Sequence, residues 1–266
     1  MVQTIVFFDI DGTLLDHDKK LPASAKEAIH SLKNEGHIAA IATGRAPFAF
    51  KEIREELDIH SYVSLNGQYV VLEGEVIYKN PLDTAELQLL SEFSAASQHA
   101  IAYMSHEDIK CNVPYHTYVE DSIRSLKLSF SHPSYDPEYF KNREIYQSLL
   151  FCTDEQEAYY ISRFQKFNFV RWHEYSMDVI PTGSSKAIGI EKMIEKLGFT
   201  KDQVYAFGDG LNDIEMLQFV GNGVAMGNAY DQVKNIAKHI TKDVGDHGIA
   251  HGLELVGLLK GRKAGI

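Results

Sequence analysis

The feature that most constrains this chain is a set of short, unbroken apolar runs, each ending on polar or acidic residues. The first, Thr4-Ile5-Val6-Phe7-Phe8, is rich in β-branched and aromatic side chains and is closed by Asp9. A run that is apolar at successive positions, rather than alternating, suits a strand buried on both faces of a parallel sheet. His37 to Ala42 repeats the pattern and ends at Thr43-Gly44-Arg45, and Tyr62-Val63-Ser64-Leu65 follows as a shorter version. Between these runs lie helical stretches. One opens at Leu21-Pro22-Ala23-Ser24, carries Ala25, Ile29 and Leu32 and stops at Gly36; the other runs from Phe48 to Leu57. Strand, helix, strand, helix, strand predicts a right-handed βαβ series, hence an α/β fold with a mostly parallel sheet flanked by helices.

After Asn66-Gly67 the rhythm changes. Tyr69–Leu72, Glu73-Gly74 and Val76–Tyr78 predict a β-hairpin. From about Pro81 to Thr182 the chain is richer in Tyr, Phe and His and mixes amphipathic helices with strand candidates. The helices carry Leu87, Leu90 and Phe93, then Tyr160, Ile161 and Phe164. The clearest strands are Ala100–Met104, Ser148–Cys152, Phe169–Trp172 and Met177–Ile180. The α/β rhythm returns at Ser185 with a helix to Leu197, the strand Val204–Phe207, a helix over Asn212–Phe219, the short strand Val224-Ala225 and a further helix. The chain of 266 residues is therefore expected to hold two domains: residues 1–81 with 183–266, and an inserted α+β domain over 82–182.

Composition narrows the class. With 44% apolar and 24% charged residues, the chain is ordinary soluble globular material rather than a disordered, collagen-like or disulfide-scaffold sequence. The net charge of −11 argues against nucleic-acid and anionic-membrane partners, because phosphate backbones reward clustered Lys and Arg. No run approaches the ~18 apolar residues of a membrane span, and Met1–Phe8 lacks the leader of a secretory signal, so a cytoplasmic location is expected. Cys111 and Cys152 read as buried thiols rather than a bridge, and the histidines as solvated or core residues rather than a metal-binding pair.

The chemistry concentrates where strands end. Asp9-Ile10-Asp11-Gly12-Thr13 directly follows the first strand, a pattern expected by chance at roughly one starting position in 10^5. Ligands of open parallel sheets bind beyond the carboxyl ends of the strands, where these carboxylates emerge. A plain turn, with aspartates satisfying backbone groups, is the competing reading. Gly208-Asp209-Gly210-Leu211-Asn212-Asp213 follows another apolar strand in the same way. If the two strands are neighbours, Asp9, Asp11, Asp209 and Asp213 converge, which is unfavourable unless a cation compensates. Oxygen-only ligands point to Mg²⁺, which keeps several waters and commonly meets phosphates; a Ca²⁺ loop of EF-hand type lacks its closing Glu. Thr43 and Gly44, read as the entrance to a helix, offer a phosphate seat, and Lys186 a full positive charge. Gly183-Ser184-Ser185-Lys186 is not a Walker loop, because the glycine spacing differs.

Taken in order, Asp9–Thr13, Ala42-Thr43-Gly44-Arg45, Pro181–Lys186 and Gly208–Asp213 resemble the four motifs of the haloacid dehalogenase (HAD) superfamily of phosphohydrolases. With Val224-Ala225-Met226-Gly227-Asn228-Ala229, the chain is similar to the Cof-type subfamily carrying a C2B cap. The resemblance covers the predicted core and implies a Rossmann-like HAD fold with an inserted C2B cap. It further implies an Mg²⁺-dependent phosphatase acting on small phosphorylated metabolites, most of all sugar phosphates. In that scheme Asp9 is the nucleophile and Asp11 the general acid and then base. Asp9, the Asp11 carbonyl and Asp209 hold Mg²⁺, with Asp213 a direct or outer ligand. Thr43, the Gly44 N–H, Lys186, Asn212 and the backbone after Asp9, beginning at Ile10, hold the phosphate. Arg45 and Asn66 sit where the family often meets substrate or cap, and the cap is expected to close over the site, with hinges near Leu82-Asp83 and Thr182-Gly183.

Within the cap, Tyr115, His116, Trp172, His173 and Tyr175 could face the substrate, but packing within the cap is the favoured reading of each. Three other functions remain open. A phosphomutase shares the first chemical step. A phospho-acceptor signalling module has a similar Asp, Thr and Lys logic, but would gain nothing from Asp11 turning the intermediate over. A noncatalytic sugar-phosphate sensor would lack one of the acidic groups. Oligomeric state is not legible in the sequence.

Overall fold

The computed structural model describes residues 2–126 and 130–260. Its first strand, β1 (Ile5–Phe8), is buried at every position, because it has parallel neighbours on both edges. After it come α1 (Ala23–Asn34), β2 (Ile38–Ala42), α2 (Lys51–Leu57), β3 (Tyr62–Ser64) and the pair β4 (Tyr69–Leu72) and β5 (Glu75–Lys79). The two residues between the last pair, Glu73 and Gly74, both take positive φ, the mirror-image turn that a two-residue hairpin needs.

The inserted segment contains α3 (Thr84–Ala96), β6 (Ala100–Met104), β7 (Ile109–Cys111), α4 (Thr117–Ser125), β8 (Ser134–Tyr135), β9 (Gln147–Phe151), α5 (Asp154–Arg163), β10 (Phe167–His173) and β11 (Ser176–Pro181). The chain then returns through α6 (Lys186–Leu197), β12 (Val204–Gly208), α7 (Ile214–Phe219), β13 (Asn222–Ala225), α8 (Asp231–Ile236), β14 (His239–Ile240) and α9 (Gly248–Leu255).

Two compact units result. The first comprises the chain up to Gly44, Phe50–Tyr78 and Ser185 onward; the second comprises Arg45–Ala49 and Lys79–Ser184. In the first unit an eight-stranded sheet runs β14-β13-β12-β1-β2-β3-β4-β5. From β14 to β3 the strands are parallel, and β4 turns back antiparallel to β3. The registers Phe8↔Ile41 and Phe8↔Phe207 bring the carboxyl ends of β1, β2 and β12 side by side. Helix α6 packs against this sheet with Ile190, Met193 and Ile194 in one apolar cluster with Ile5, Phe7, Val63, Val204 and Ala206. The close approach requires glycine: a Cβ at Gly67 would lie 2.1 Å from the Ser185 carbonyl oxygen at the start of α6.

The second unit holds a six-stranded sheet, β10-β11-β9-β6-β7-β8, antiparallel except for the parallel β7–β8 pair. Side chains alternate between its faces, as strand geometry dictates. Leu150 and Cys152 join Leu87, Leu90, Tyr103, Tyr160 and Phe164 on one face, while Leu149 and Phe151 join Val119 and Ile123 on the other. Cys111 and Cys152 are free and buried.

The structure departs from the sequence reading mainly at short elements. The expected helix from Phe48 is a 3₁₀ turn, Pro47–Phe50, followed by α2; the one from Asn212 is a 3₁₀ turn, Leu211–Asp213, followed by α7. Strands β7, β8 and β14 span two or three residues, too few for any periodicity to register. Among the described residues no helix is long and apolar enough to cross a membrane.

Candidate active site

The site forms at the carboxyl ends of β1, β2 and β12. Asp9 leaves β1 with its N–H donating to the Phe207 carbonyl (3.0 Å), which places it beside the strand that leads to Asp209. Its carboxylate is almost fully buried, and Oδ1 accepts a 2.6 Å hydrogen bond from Lys186 Nζ. The same ammonium donates to Asp213 Oδ1, also at 2.6 Å. Lys186 opens α6, so its position is set by the helix start that Gly67 admits. It is 1% exposed, and a charge so deep in the protein persists only if paired.

Asp213 is wholly buried and heavily committed. Besides Lys186, its Oδ2 accepts the backbone N–H groups of Asp209 and Gly210, each at 2.9 Å. These bonds shape the turn that presents Asp209. Asp209 Oδ1 in turn accepts from the Thr13 hydroxyl at 2.9 Å. Gly12, at φ 77°, passes directly over this carboxylate: a Cβ there would lie 2.2 Å from Asp209 Oδ2. Only glycine tolerates both the left-handed backbone and the contact.

One carboxylate oxygen from each of Asp9, Asp209 and Asp213 lies within 4.8 Å of the others, and among the described residues no other group brings three such ligand atoms together. The electrostatics match the crowding. Burial pushes Asp9 well above the ordinary carboxylate range; Lys186 opposes the shift, while Asp213, Asp209 and Asp11 add to it. Burial, reinforced by Asp213, lifts Asp209 to about 6 against the Thr13 hydrogen bond. For Lys186 burial works against the charge, but Asp213 and Asp9 outweigh it and keep the ammonium protonated. The cluster thus carries more negative charge than its one buried lysine neutralises, and its donors are all hard oxygens. A Mg²⁺-sized cation fits that donor set.

A second linked group flanks the first. Thr43, at the end of β2, is buried, and its carbonyl accepts the Asn66 N–H at 3.1 Å. The Asn66 carboxamide lies against Gly44, where a Cβ would sit 3.1 Å from its Oδ1, and that oxygen accepts from Asn212 Nδ2 at 3.4 Å. Asn66 therefore lies in the first unit, beside Gly44 and Asn212. Because α2 begins only at Lys51, after the 3₁₀ turn, Thr43-Gly44 is a strand end and not the helix entrance expected from sequence. Ile10 is a buried turn residue whose carbonyl accepts the Leu15 N–H at 2.8 Å. Arg45 falls in the second unit and donates to the Ala49 carbonyl at 3.3 Å.

Asp11, two residues after Asp9, stands at the rim with a side chain 40% exposed, and Lys19 Nζ pairs with its Oδ1 at 2.5 Å. Sequence reasoning missed this partner. Lys19 reaches back because the Asp16–Lys20 turn is closed by its own backbone, with Lys19 at φ 60°. The turn residues Asp16, His17 and Asp18 were the only available signal. His247 and His251 stand four residues apart in the sequence. His247, however, precedes α9 in the left-handed region, and the His251 ring is hydrogen-bonded through Nδ1 to Thr241 Oγ1 at 2.9 Å. In the second unit His116 caps α4, Tyr115 donates to Glu120, His173 meets Ser122, and Tyr175 stacks on Tyr118 with ring centroids 4.2 Å apart. Packing roles thus exist for these four, while Trp172 sits partly buried against the Val119–Phe151 cluster.

Comparison with known proteins identifies the family. A family model described as haloacid dehalogenase-like hydrolase matches residues 6–253. The protein YkrA of Bacillus subtilis (strain 168) is 47% identical over 260 residues, covering 98% of this chain and all of that one. A crystal structure of a protein from Geobacillus kaustophilus HTA426 superposes with a TM-score of 0.93 at 52% identity, over 97% of this chain and 100% of that one. The HAD subclass IIB sugar phosphatase BT4131 is similar at a TM-score of 0.84 and 30% identity, over 96% and 100% of the two chains. The chain belongs to the haloacid dehalogenase-like hydrolases, within their Cof-type phosphatases.

Proposed function

We propose that the chain hydrolyses small phosphorylated metabolites, sugar phosphates foremost, through an aspartyl-phosphate formed on Asp9. The observation that carries this reading is the cluster of buried Asp9, Lys186 and Asp213 with half-buried Asp209, in which one ammonium bridges two carboxylates and a third stands within reach. Asp9 and Asp209 would hold Mg²⁺ through their carboxylates, with Asp11 contributing its backbone carbonyl. Asp213, already engaged by three hydrogen bonds, orients Lys186 and the Asp209 turn from outside. When bound, Mg²⁺ supplies the positive charge that lets a phosphate dianion approach an anionic nucleophile.

In the first step an Asp9 carboxylate oxygen attacks phosphorus. The new O–P bond forms as the bond to the leaving oxygen breaks, and Asp11 gives that oxygen its proton. In the second step water attacks phosphorus, Asp11 takes the water's proton, and the acyl-phosphate bond breaks to return the Asp9 carboxylate and free phosphate. Thr43, the Gly44 N–H, Lys186, Asn212 and the backbone at Ile10 hold the phosphoryl oxygens, donors fixed in place before the charge shifts. Residues 82–182 are read as the C2B-type cap, with Arg45 and Asn66 as substrate contacts. The sugar-phosphate preference rests on the similarity to BT4131, whose name is that of a sugar phosphatase.

The test is a panel of sugar, nucleotide and cofactor phosphates with Mg²⁺ or chelator, run on the protein and on Asp9→Asn. Release of inorganic phosphate that needs Mg²⁺ and falls at least a thousandfold in Asp9→Asn is expected. Phosphate moved between positions on a sugar would instead make it a mutase, and a stable phosphoprotein without release would make it a signalling module.

A further inference from the structure

Asn228 belongs to the run Val224–Ala229 that marks the Cof-type pattern, yet none of the chemistry above uses it. It lies in the loop after β13, and that loop is pinned on both sides. Met226 N–H donates to the Gly208 carbonyl (3.0 Å), Gly227 N–H to that of Lys242 (2.8 Å) and Tyr230 N–H to that of Asp209 (3.3 Å). The carboxamide between these anchors joins three segments. Its Nδ2 donates to the Gly12 carbonyl at 2.8 Å and reaches Asp209 Oδ2 at 3.5 Å, while its Oδ1 accepts the Val244 N–H at 2.9 Å.

The chemistry of these partners fixes the amide's orientation. A backbone N–H requires an acceptor and a carbonyl requires a donor, so the oxygen faces Val244 and the nitrogen faces Gly12. Asp209 is consequently held from two directions, through Oδ1 by Thr13 and through Oδ2 by Asn228. Gly12 is held in the same grip, and it is the residue that must stay flat against the Asp209 carboxylate.

We infer that Asn228 is a positioning residue for the divalent-cation site: it fixes Asp209 and the Gly12 turn so that Asp209 and Asp9 can share one ion. This inference rests on the proposed reading of the acidic cluster as a cation site. Groups that orient metal ligands typically change affinity or activity by ~10–100-fold when removed.

The experiment measures Mn²⁺ binding without substrate, by the loss of the free-ion electron paramagnetic resonance signal, on the full chain and on Asn228→Ala, Asn228→Asp and Asp209→Asn. Asn228→Ala is expected to weaken Mn²⁺ about tenfold. Its Mg²⁺ activation midpoint rises in parallel, and turnover recovers at saturating Mg²⁺, a split that general loosening of the fold would not produce. Asn228→Asp adds a negative charge beside the site and also sets its oxygens against the Gly12 carbonyl and Asp209. Weaker Mn²⁺ binding in that variant supports positioning; tighter binding means that charge alone governs the site and overturns the inference. If Asn228→Ala does not fold, Asn228→Asp and Asn228→Ser carry the measurement. Affinities within twofold of the unaltered protein in the folded variants, with Asp209→Asn clearly weakened, would sink this inference alone. Absence of Mn²⁺ binding by the unaltered protein would remove the cation reading itself.

Discussion

The two units keep different things inside. In the first, the buried polar groups include Asp9, Asp213 and Lys186, all ionisable, with both carboxylates tied to the one ammonium. In the second, among the described residues, they are Ser94, Ser105, Ser122, Ser148, Ser176 and Gln147, neutral side chains on a scaffold of large aromatic rings. Tyr103 packs on Phe140 and Tyr160 on Phe93, with ring centroids 5.0 and 5.3 Å apart. Burying a charge is far costlier than burying a hydroxyl, and apolar residues of similar size would often serve stability as well or better. The contrast therefore separates a region arranged for chemistry from one arranged for packing, and substitution can probe it.

Lys186→Met probes it most severely. The substitution leaves Asp9 and Asp213 buried without their shared cation, and breaking such a pair from one side typically costs ~3–5 kcal/mol. Asp9→Asn is expected to cost far less and can even stabilise, because burial and three neighbouring carboxylates already disfavour the Asp9 charge. Denaturant titrations of both variants in chelator test the asymmetry. Equal losses would mean that Lys186 and Asp9 count as an ordinary pair, and that the cluster is not short of positive charge.

The same contrast marks what the sequence could reveal. Asp9, Asp209, Asp213, Thr43 and Gly44 stand in the sequence just after unbroken apolar runs, which identify buried strands, and a parallel sheet brings its strand ends to one edge. Lys186, which opens α6, was instead named through its motif. Asn66 and Asn212 were named as well, though nothing in their spacing revealed that they touch. What stayed hidden depends on turn geometry. Lys19 finds Asp11 only through the φ 60° turn, and Asn228 finds Gly12 across 216 positions. In the second unit periodicity located four strands, yet β7, β8 and α4 escaped it. There the signals are short, two or three residues in β7 and β8.

Asp209 offers an intermediate probe with a sign that can be worked out. Its carboxyl moves from an ordinary 3.8 to about 6 on folding, so the native state holds the proton more tightly than the unfolded chain does. Stability is then lost as pH rises through that window, and the penalty is complete above it. Asp209→Asn imitates the protonated form at constant shape and can still accept from Thr13. In chelator the variant is expected to match the unaltered protein near pH 4 and to exceed it by roughly 1–3 kcal/mol at pH 7.5. Mg²⁺ should reverse that order, since an ion bound only to the native state stabilises the protein that keeps its ligand. A difference that does not change with pH would show that burial of this carboxylate carries no penalty.

The mildest substitution sharpens the comparison from the other side. Tyr103 is wholly buried in the second unit, and its hydroxyl bonds with Ser91. Burial pushes its phenol up to about 12, with the Ser91 bond opposing, so it is neutral at any working pH and carries no pH-linked stability there. Tyr103→Phe keeps the ring against Phe140 and removes one hydrogen bond between neutral groups, an effect of ~0.5–1.5 kcal/mol. Urea titrations at pH 5 and pH 8 are expected to give the same small loss. A loss several times larger, or one that varies with pH, would place an ionised group in contact with this core and erase the distinction between the units.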